Sequence, residues 1–193
     1  MHINKLNDHL KIDSSVLTFG NFDGIHLGHQ KIISKVKDIS KLKSIPSVVL
    51  SFNPHTNYIL KGCHFKTLIA HQDKINILKS LNIDYYCEIE FDLKFSKLNA
   101  EQFMSIIIKK YNPSYIVFGY DNYFGYKKSG SFNFVSENIK YRNIKCIKVD
   151  ELQLESNHIK SSELKILLKN NKVNVANKYL YQNYKIYGNV IHG

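Results

Sequence analysis

Short apolar runs alternate along the chain with segments in which apolar residues recur at spacings of three and four. The runs predict buried strands at 16–19, 47–52, 85–91, 115–118 and 144–149. The periodic segments predict helices whose apolar positions are Ile32, Ile33, Val36 and Ile39; Leu68, Ile75, Ile77, Leu78 and Leu81; Phe103, Ile106, Ile107 and Ile108; and Leu164, Leu167 and Leu168, with a further helix from about Phe132. Strands that alternate with helices indicate an α/β fold built on a parallel, doubly wound sheet.

Asparagines and prolines mark several boundaries of these elements. Asn99 is a suitable N-cap for the helix that carries Phe103. That helix is expected to stop near Asn112, because Pro113 disfavours helical backbone in the residue before it. The pair formed by Asn53 and Pro54 is typical of a turn, which ends the second strand.

The Gly-rich segment 20–30, GNFDGIHLGHQ, connects the first predicted strand to the first predicted helix. Such a turn can present free backbone N–H groups and the positive end of a helix to an anion. His26 and His29 share one face of the first helical turn, and Gly28 removes a side chain where a phosphate would approach. Taken alone, two histidines at this spacing can also be surface residues of a capped helix. The order of strand, Gly-rich turn and His-Leu-Gly-His favours a phosphate site.

Three further segments follow strands or open a helix, where ligands of open α/β sheets bind. His55 follows the second strand, residues 119–130 follow the fourth, and Ser161 and Ser162 precede the apolar positions of the last helix. The two serines can cap that helix and offer hydroxyl and N–H groups to a phosphate. The structural alternatives are a turn, an aromatic-rich surface loop and a plain N-cap, respectively.

Length and composition suit a globular protein with one large domain, or with one domain plus a fragment. The chain has 193 residues, of which 44% are apolar, and no apolar run approaches the roughly 20 residues of a membrane span. The N-terminal residues lack an apolar signal core, so a cytoplasmic location is expected. Cys63, Cys87 and Cys146 are far apart and form no CxxC pair, which favours reduced thiols, the last two buried, over disulfides or a zinc site.

The formal charge of +11 raises the question of nucleic-acid binding. The basic residues are lysines spread along the whole chain, apart from the single arginine, Arg142. A dedicated nucleic-acid binder usually concentrates its charge and uses arginine to contact bases and phosphates. We therefore expect no specific nucleic-acid partner and no membrane partner, but a field that favours small anionic nucleotides.

Residues 20–30 resemble the GxFDGxHxGH signature of nucleotidyltransferases, most closely that of bacterial FAD synthetases, which are FMN adenylyltransferases. The resemblance implies a Rossmann-like nucleotidyltransferase fold, a parallel sheet with helices on both faces, in which His26 and His29 hold the phosphates of ATP. Residues 53–56 resemble the FxPHP motif of the family, with Thr56 in place of the last proline. We expect that exchange to loosen the loop without removing a ligand group.

Two later segments resemble family motifs with substitutions. Residues 119–130 resemble the GxDFxFG…G segment near the nucleotide and the flavin, with Asn122 where the family usually has Phe and Lys128 roughly where it often has Arg. The loss of that aromatic ring leaves Tyr120, Tyr123 and Phe124 as candidates for packing against the flavin. Residues 159–165 stand in the place of ISSTxxR, with Lys160 for the first Ser and Lys165 for the Arg. Lys165 keeps the charge but not the bidentate fork.

The resemblance implies FMN adenylyltransferase activity, in which ATP and FMN give FAD and pyrophosphate, with Mg²⁺ accompanying ATP. The implied catalytic residues are His26, His29 and Lys165. The implied ATP and phosphate-binding residues are Gly20, Asn21, Phe22, Asp23, Gly24, Gly28, Ser161 and Ser162. The implied flavin or nucleotide-side residues are Asn53, Pro54, His55, Gly119, Asp121, Tyr123 and Phe124. The alternatives are a nucleotidyltransferase of the same fold with another phosphate substrate, or a degenerate binder of nucleotides or flavins without activity.

The domain prediction places the nucleotidyltransferase domain at residues 1–182. Residues 183–193 resemble the opening of the riboflavin kinase domain that follows in bifunctional FAD synthetases. That second domain is expected to be truncated to about one strand, which cannot form a barrel. We therefore expect no riboflavin kinase activity from this chain.

Overall fold

A computed structural model describes residues 1–6, 8, 11–62, 65–154 and 157–191. Its centre is a parallel sheet of six strands in the order β1-β4-β3-β2-β5-β6. The strands are β1 (His2–Lys5), β2 (Ser15–Phe19), β3 (Ser47–Asn53), β4 (Tyr85–Glu90), β5 (Pro113–Gly119) and β6 (Lys145–Val149). The five strands predicted from apolar runs are confirmed, and β1 is an additional strand at the sheet edge.

Seven α-helices of the described residues accompany the sheet. They are α1 (Leu27–Lys43), α2 (Thr56–Lys61), α3 (His71–Ser80), α4 (Ala100–Tyr111), α5 (Phe132–Ser136), α6 (Ser161–Lys169) and α7 (Val173–Asn177). A two-stranded antiparallel hairpin, β7 (Gln153–Leu154) with β8 (Asn157–His158), follows β6.

Both faces of the sheet are covered, as predicted for this fold class. Leu17 and Phe19 of β2 pack in one cluster with Phe103 of α4, whereas Val16 packs with Val36 of α1 in another. All five positions of β2 are buried, because alternate side chains meet helices on opposite faces. This burial explains why the central strands are continuous apolar runs.

Local signals set the ends of α4 as predicted, but not the start of α3. Asn99 and Gln102 form a reciprocal capping box, and Asn112 ends the helix in left-handed backbone. Leu68 was predicted to lie on the helix that carries Ile75 and Leu78, and this is wrong, because α3 begins at His71. Leu68 packs instead under the Gly-rich turn, beside Leu180.

Strand β2 lies between β3 and β5. The chain first adds β3 and β4 on one side of β2, and later adds β5 and β6 on the other side. In open α/β sheets a crevice forms at the carboxyl ends of the strands at this reversal. The segments that follow β2 and β5 carry the predicted 20–30 and 119–130 motifs. The fold therefore brings these motifs together from distant parts of the sequence.

The described part of the C-terminal segment, 183–191, contains neither helix nor strand. The Tyr187 hydroxyl donates to Asp73 Oδ2 at 2.7 Å, and the Tyr184 N–H donates to Asn177 Oδ1 at 2.8 Å. His192 and Gly193, the end of the predicted kinase-like segment, lie outside the described residues. The division at residue 182 stays a prediction.

Cys87 and Cys146 are free thiols, the first buried and the second only partly so. Cys63 lies outside the described residues. Among the helices that the structure describes, none has the length and apolar character needed to cross a bilayer.

Candidate functional site

The turn after β2 has strained backbone held by buried side chains. Phe22 and Ile25 adopt positive φ angles of 49° and 39°, which non-glycine residues rarely do. Their side chains are 2% and 0% exposed and pack with Ile33 of α1. Within the described residues, the N–H groups of residues 22–24 have no hydrogen-bond partner. Strain of this kind persists where the surrounding packing fixes it, and is typical of ligand-binding turns.

His26 and His29 stack against each other at the start of α1. Their ring centroids are 3.7 Å apart and the ring planes differ by 23°. A Cβ atom at Gly28 would lie 3.3 Å from the His26 ring, so this glycine makes room for the stacked ring in the structure. The Nδ1 atoms of both histidines are buried and have no hydrogen-bond partner among the described residues. The pair therefore retains hydrogen-bonding capacity for a ligand.

Burial keeps the site histidines neutral near pH 7. It lowers the pKa of His26 to about 4, although Asp23 opposes the shift. Burial also lowers the pKa of His29 well below its usual value, with smaller contributions from His26 and Lys74. The pKa of His55 is lowered to about 4 by burial, again opposed by Asp23. Each neutral ring can donate one N–H bond, and a bound polyphosphate would raise its pKa.

Asp23 links the Gly-rich turn to α6. Its Oδ1 accepts a hydrogen bond of 2.6 Å from the Leu68 N–H, and its Oδ2 lies 2.8 Å from Lys165 Nζ. His55 Nε2 is 3.9 Å from the same Oδ2, and the Ser161 hydroxyl donates to the Asp23 backbone carbonyl at 3.0 Å. These contacts place Lys165 and Ser161 beside the turn.

The predicted capping role of Ser161 and Ser162 is wrong. Lys160 occupies the N-cap position of α6, and no side chain caps the helix. The hydroxyl of Ser161 is turned to Asp23 instead, and Ser162 is exposed. The contact of these serines with a phosphate stays a prediction.

Thr56 anchors the loop that it was expected to loosen, so that expectation is also wrong. The Thr56 N–H donates to Asn21 Oδ1 at 3.1 Å, and Asn21 Nδ2 donates to the Thr56 hydroxyl at 2.9 Å. A proline has no N–H and could not make the first bond. The threonine thus ties the start of α2 to the Gly-rich turn. His55 caps α2 by accepting from the Asn57 N–H.

Most predicted site residues meet in one cavity of about 650 Å³, which is lined by a cluster of phenylalanines as well as by polar groups. A neighbouring cavity of about 90 Å³ shares His29, Ile32, Gly119 and Asp121 with it. The predicted residues that line the larger cavity are Gly20, Asn21, Phe22, Asp23, His29, His55, Gly119, Asp121, Tyr123, Phe124 and Ser161. His26 and Gly28 line the smaller one.

Five predicted residues line neither cavity, and one of them is the exposed Ser162. Gly24 adopts a φ angle of 87° and approaches Leu68. Asn53 donates to Glu88, and Pro54 follows Asn53 through a cis peptide bond. Lys165 reaches the site through its ion pair with Asp23.

The candidate aromatic residues of the loop after β5 lie partly in the core and partly at the rim of the cavity. Phe124 is buried and packs against Phe19 and Phe103, whereas Tyr123 is 57% exposed at the cavity rim. Asn122, which replaces a family Phe, donates to the Phe19 carbonyl at 3.0 Å. This bond fixes the loop against the end of β2, next to the Gly-rich turn.

Sequence reasoning missed Lys74 of α3. The side chain is 8% exposed, and its Nζ donates to the Asn21 carbonyl and the Ser51 hydroxyl, both at 3.0 Å. Burial lowers its pKa, and the charges of Asp23 and Glu88 oppose this shift. A signal was present, because Lys74 shares a helix face with Leu78, four residues later in the apolar pattern.

The lowered histidine pKa values predict a loss of stability in acid. His26 and His55 have folded pKa values of about 4 against an ordinary 6.5. Below about pH 6.5 these histidines bind protons in the unfolded chain but not in the folded chain. The free energy of unfolding should therefore fall as the pH is lowered to about 4, and then level off. We expect a loss on the order of 2 kcal/mol per histidine.

Urea unfolding across this pH range measures the effect. Replacing His55 with glutamine should flatten the fall, while His2→Gln on the exposed edge strand should not. Equal slopes for the wild type and His55→Gln would contradict the neutral-histidine assignment.

Comparison with known proteins identifies similar sequences. The family model described as FAD synthetase matches residues 9–163. A bifunctional riboflavin kinase/FMN adenylyltransferase of Buchnera aphidicola (subsp. Schizaphis graminum) is 38% identical over 95% of this chain and 60% of that protein. The Bacillus subtilis protein of the same name is 34% identical, over 93% of this chain and 57% of its own length. A Listeria monocytogenes FAD synthetase is 26% identical, over 93% of this chain and 74% of that protein. The chain thus spans about 60% of the length of the bifunctional relatives.

Solved structures with the same fold are more distant in sequence. A Streptococcus pneumoniae structure titled as a macrolide-efflux protein has a TM-score of 0.85 at 24% identity, over 94% of this chain and 62% of that one. Pantothenate synthetase from Thermus thermophilus has a TM-score of 0.54 at 11% identity, over 89% and 67% of the two chains. At these identities the likeness shows the fold alone.

Proposed function

The chain belongs to the FAD synthetase family, and from this premise we propose that it transfers the adenylyl group of ATP to the phosphate of FMN, giving FAD and pyrophosphate. The observation that carries the proposal is the stacked His26–His29 pair, which stands between two adjoining cavities at the reversal point of the sheet. The larger cavity, about 650 Å³, is in the range of small-molecule sites.

The polar and the aromatic lining of the larger cavity suit the two parts of the substrates. The polar part of the lining, formed by the Gly-rich turn with His29 and Ser161, offers N–H donors to phosphates. The aromatic part of the lining suits a flat ring system; its side chains are Phe52, Phe91, Phe95, Phe103 and Phe124. This division supports a reaction between a nucleotide and a flavin that meet at their phosphates.

The reaction needs no protein nucleophile. An oxygen of the FMN phosphate, already ionised near neutral pH, forms a bond to the α-phosphorus of ATP. The bond from that phosphorus to the bridging oxygen breaks, and its electron pair leaves with pyrophosphate, so no proton has to move. The protein then contributes position and charge stabilisation.

His26 and His29 would act as preorganised N–H donors to the reacting phosphates. As neutral rings they require no counter-charge before ATP binds, and negative charge next to them favours the protonated form. Their donors are already fixed by stacking, so little reorganisation accompanies the reaction.

Lys165 would act on the side of the departing pyrophosphate. Its Nζ is held by Asp23 at 2.8 Å and lies 3.8 Å from the centre of the Phe65 ring, which restricts its movement. Ser161, at the start of the same helix, would bring its N–H group to the same phosphates.

Mg²⁺ is implied with ATP, and the residues present fit it. Such an ion usually binds through one or two carboxylates, nucleotide phosphates and water. No group of three or more metal-binding side chains occurs within the described residues, but Asp23 and Asp121 line the cavity. Because Asp23 is paired with Lys165, Asp121 is the carboxylate that would hold the ion. When bound, the ion would neutralise phosphate charge.

Incubation of the chain with ATP, Mg²⁺ and FMN, followed by chromatography, tests the proposal. FAD should appear in step with pyrophosphate and should not form without Mg²⁺. ATP and FMN that remain unconverted would reject the enzyme and favour a binder.

A further inference from the structure

Lys74 is a buried cation directly beneath the Gly-rich turn. It does not line the large cavity, whereas Asn21 and Phe22 of the turn do. Its Nζ donates to the Asn21 carbonyl and to Ser51 on β3, and among the described residues no carboxylate lies within ion-pair distance of it. Burying an ammonium group with only neutral direct partners is unfavourable. A packing role alone would be met better by an apolar residue.

The bond to Asn21 fixes the direction of the following N–H group. The peptide between Asn21 and Phe22 is trans, so its C=O and N–H point in opposite directions. Because the carbonyl points at Lys74, the Phe22 N–H points to the opposite side. That N–H has no partner among the described residues, and the positive φ of Phe22 continues the turn in the same strained form.

Ser51 further restrains the bond between Lys74 and the Asn21 carbonyl. Its hydroxyl lies 3.0 Å from Lys74 Nζ and 3.3 Å from the Asn21 carbonyl, so the three groups form a closed triangle. The side chain of Asn21 is held independently by Thr56. Contacts with α3 and β3 thus hold the Asn21 carbonyl, and contacts with α2 hold the Asn21 side chain.

We infer that Lys74 is a positioning residue of the nucleotide site, which aims the Phe22 N–H at an ATP phosphate by holding the Asn21 carbonyl. This inference rests on the proposed function for the identity of the ligand. Lys74 acts through the turn and does not itself touch the phosphate.

Calorimetric titration with ATP and Mg²⁺, without FMN, tests the inference separately from FAD formation. Lys74→Met removes the donor and the charge while keeping the length of the side chain, and should weaken ATP binding about 10-fold or more. Lys74→Arg keeps a charged donor and should stay within about 3-fold of the wild type. Lys79→Met, on the exposed side of the same helix, is the matched control and should bind normally.

A second measurement needs only the wild-type chain. If Lys74 aims the Phe22 N–H at ATP, hydrogen exchange at that amide should slow at least about 10-fold when ATP and Mg²⁺ are added. This readout applies even where Lys74→Met does not fold.

The outcomes separate the two proposals. Unchanged ATP affinity in a folded Lys74→Met variant, or unchanged exchange at Phe22 in ATP-bound wild type, overturns the role of Lys74. If the wild type binds no ATP, the proposed function itself is rejected, and the inference with it. ATP binding by the wild type with the predicted losses, but no FAD formation, supports the Lys74 inference alone.

Discussion

Replacing His26 or His29 with alanine should lower kcat for FAD formation by about 100-fold or more, the effect of losing one preorganised donor to the transition state. Stability should change little, since the Nδ1 atoms of both rings have no partner among the described residues. We expect melting temperatures within about 5 °C of the wild type. Each variant should lose more than a single contact, because the two rings support each other at 3.7 Å.

Steady-state FAD formation and thermal unfolding of the same preparations measure this prediction. His2→Ala is a matched control, because His2 lies on the exposed edge strand β1 and stacks on Tyr85, far from the reversal point of the sheet. Near-normal rates in both His26→Ala and His29→Ala would remove the pair from the catalytic site.

Replacing Lys165 with alanine should reduce both activity and stability. The activity should fall at least about 10-fold, because a positive charge near the leaving pyrophosphate is lost. The free energy of unfolding should fall by about 1–3 kcal/mol, since Asp23 is 3% exposed and would be left unpaired, while the exposure of Lys165 moderates the loss. Lys165→Arg should preserve or raise the rate by restoring two donors.

A double variant separates the two effects of Lys165. Asp23→Asn combined with Lys165→Ala removes both charges and keeps an acceptor for the Leu68 N–H, so stability should recover while activity stays low. Urea unfolding and steady-state rates decide the matter. Equal rates for the wild type, Arg and Ala variants would place Lys165 outside the active site and favour a degenerate binder.

The strands were predictable because each central one is buried on both faces. Val16, Leu17 and Phe19 need no tertiary information to be recognised as an inner strand. The edge strand β1 escaped prediction because its residues are mostly exposed and polar, so no apolar run marks it. The spacing of apolar residues assigned Leu68 to a helix, and this was wrong. Its apolar side chain packs in a cluster outside that helix.

The composition of the site was more predictable than its internal contacts. The Gly-rich turn and its histidines form one local motif, so their role could be argued from spacing. The contacts of Thr56 with Asn21, and of Lys165 with Asp23, join segments that only the folded sheet brings together. In the structure Thr56 anchors its loop and the Ser161 hydroxyl bonds to Asp23. The predicted loosening of the loop and the predicted helix cap are therefore both wrong.

The step that defines the proposed function is the transfer of the adenylyl group to the phosphate of a flavin. The direct measurement gives the chain ATP labelled at its α-phosphate, with Mg²⁺ and one acceptor at a time: FMN, riboflavin, or a non-flavin phosphate ester such as nicotinamide mononucleotide. FMN adenylyltransferase activity would place label in FAD when FMN is the acceptor, with one pyrophosphate per FAD, and would transfer none to the other two. Label transferred to the non-flavin phosphate in preference to FMN, or ATP bound without any transfer, would contradict it.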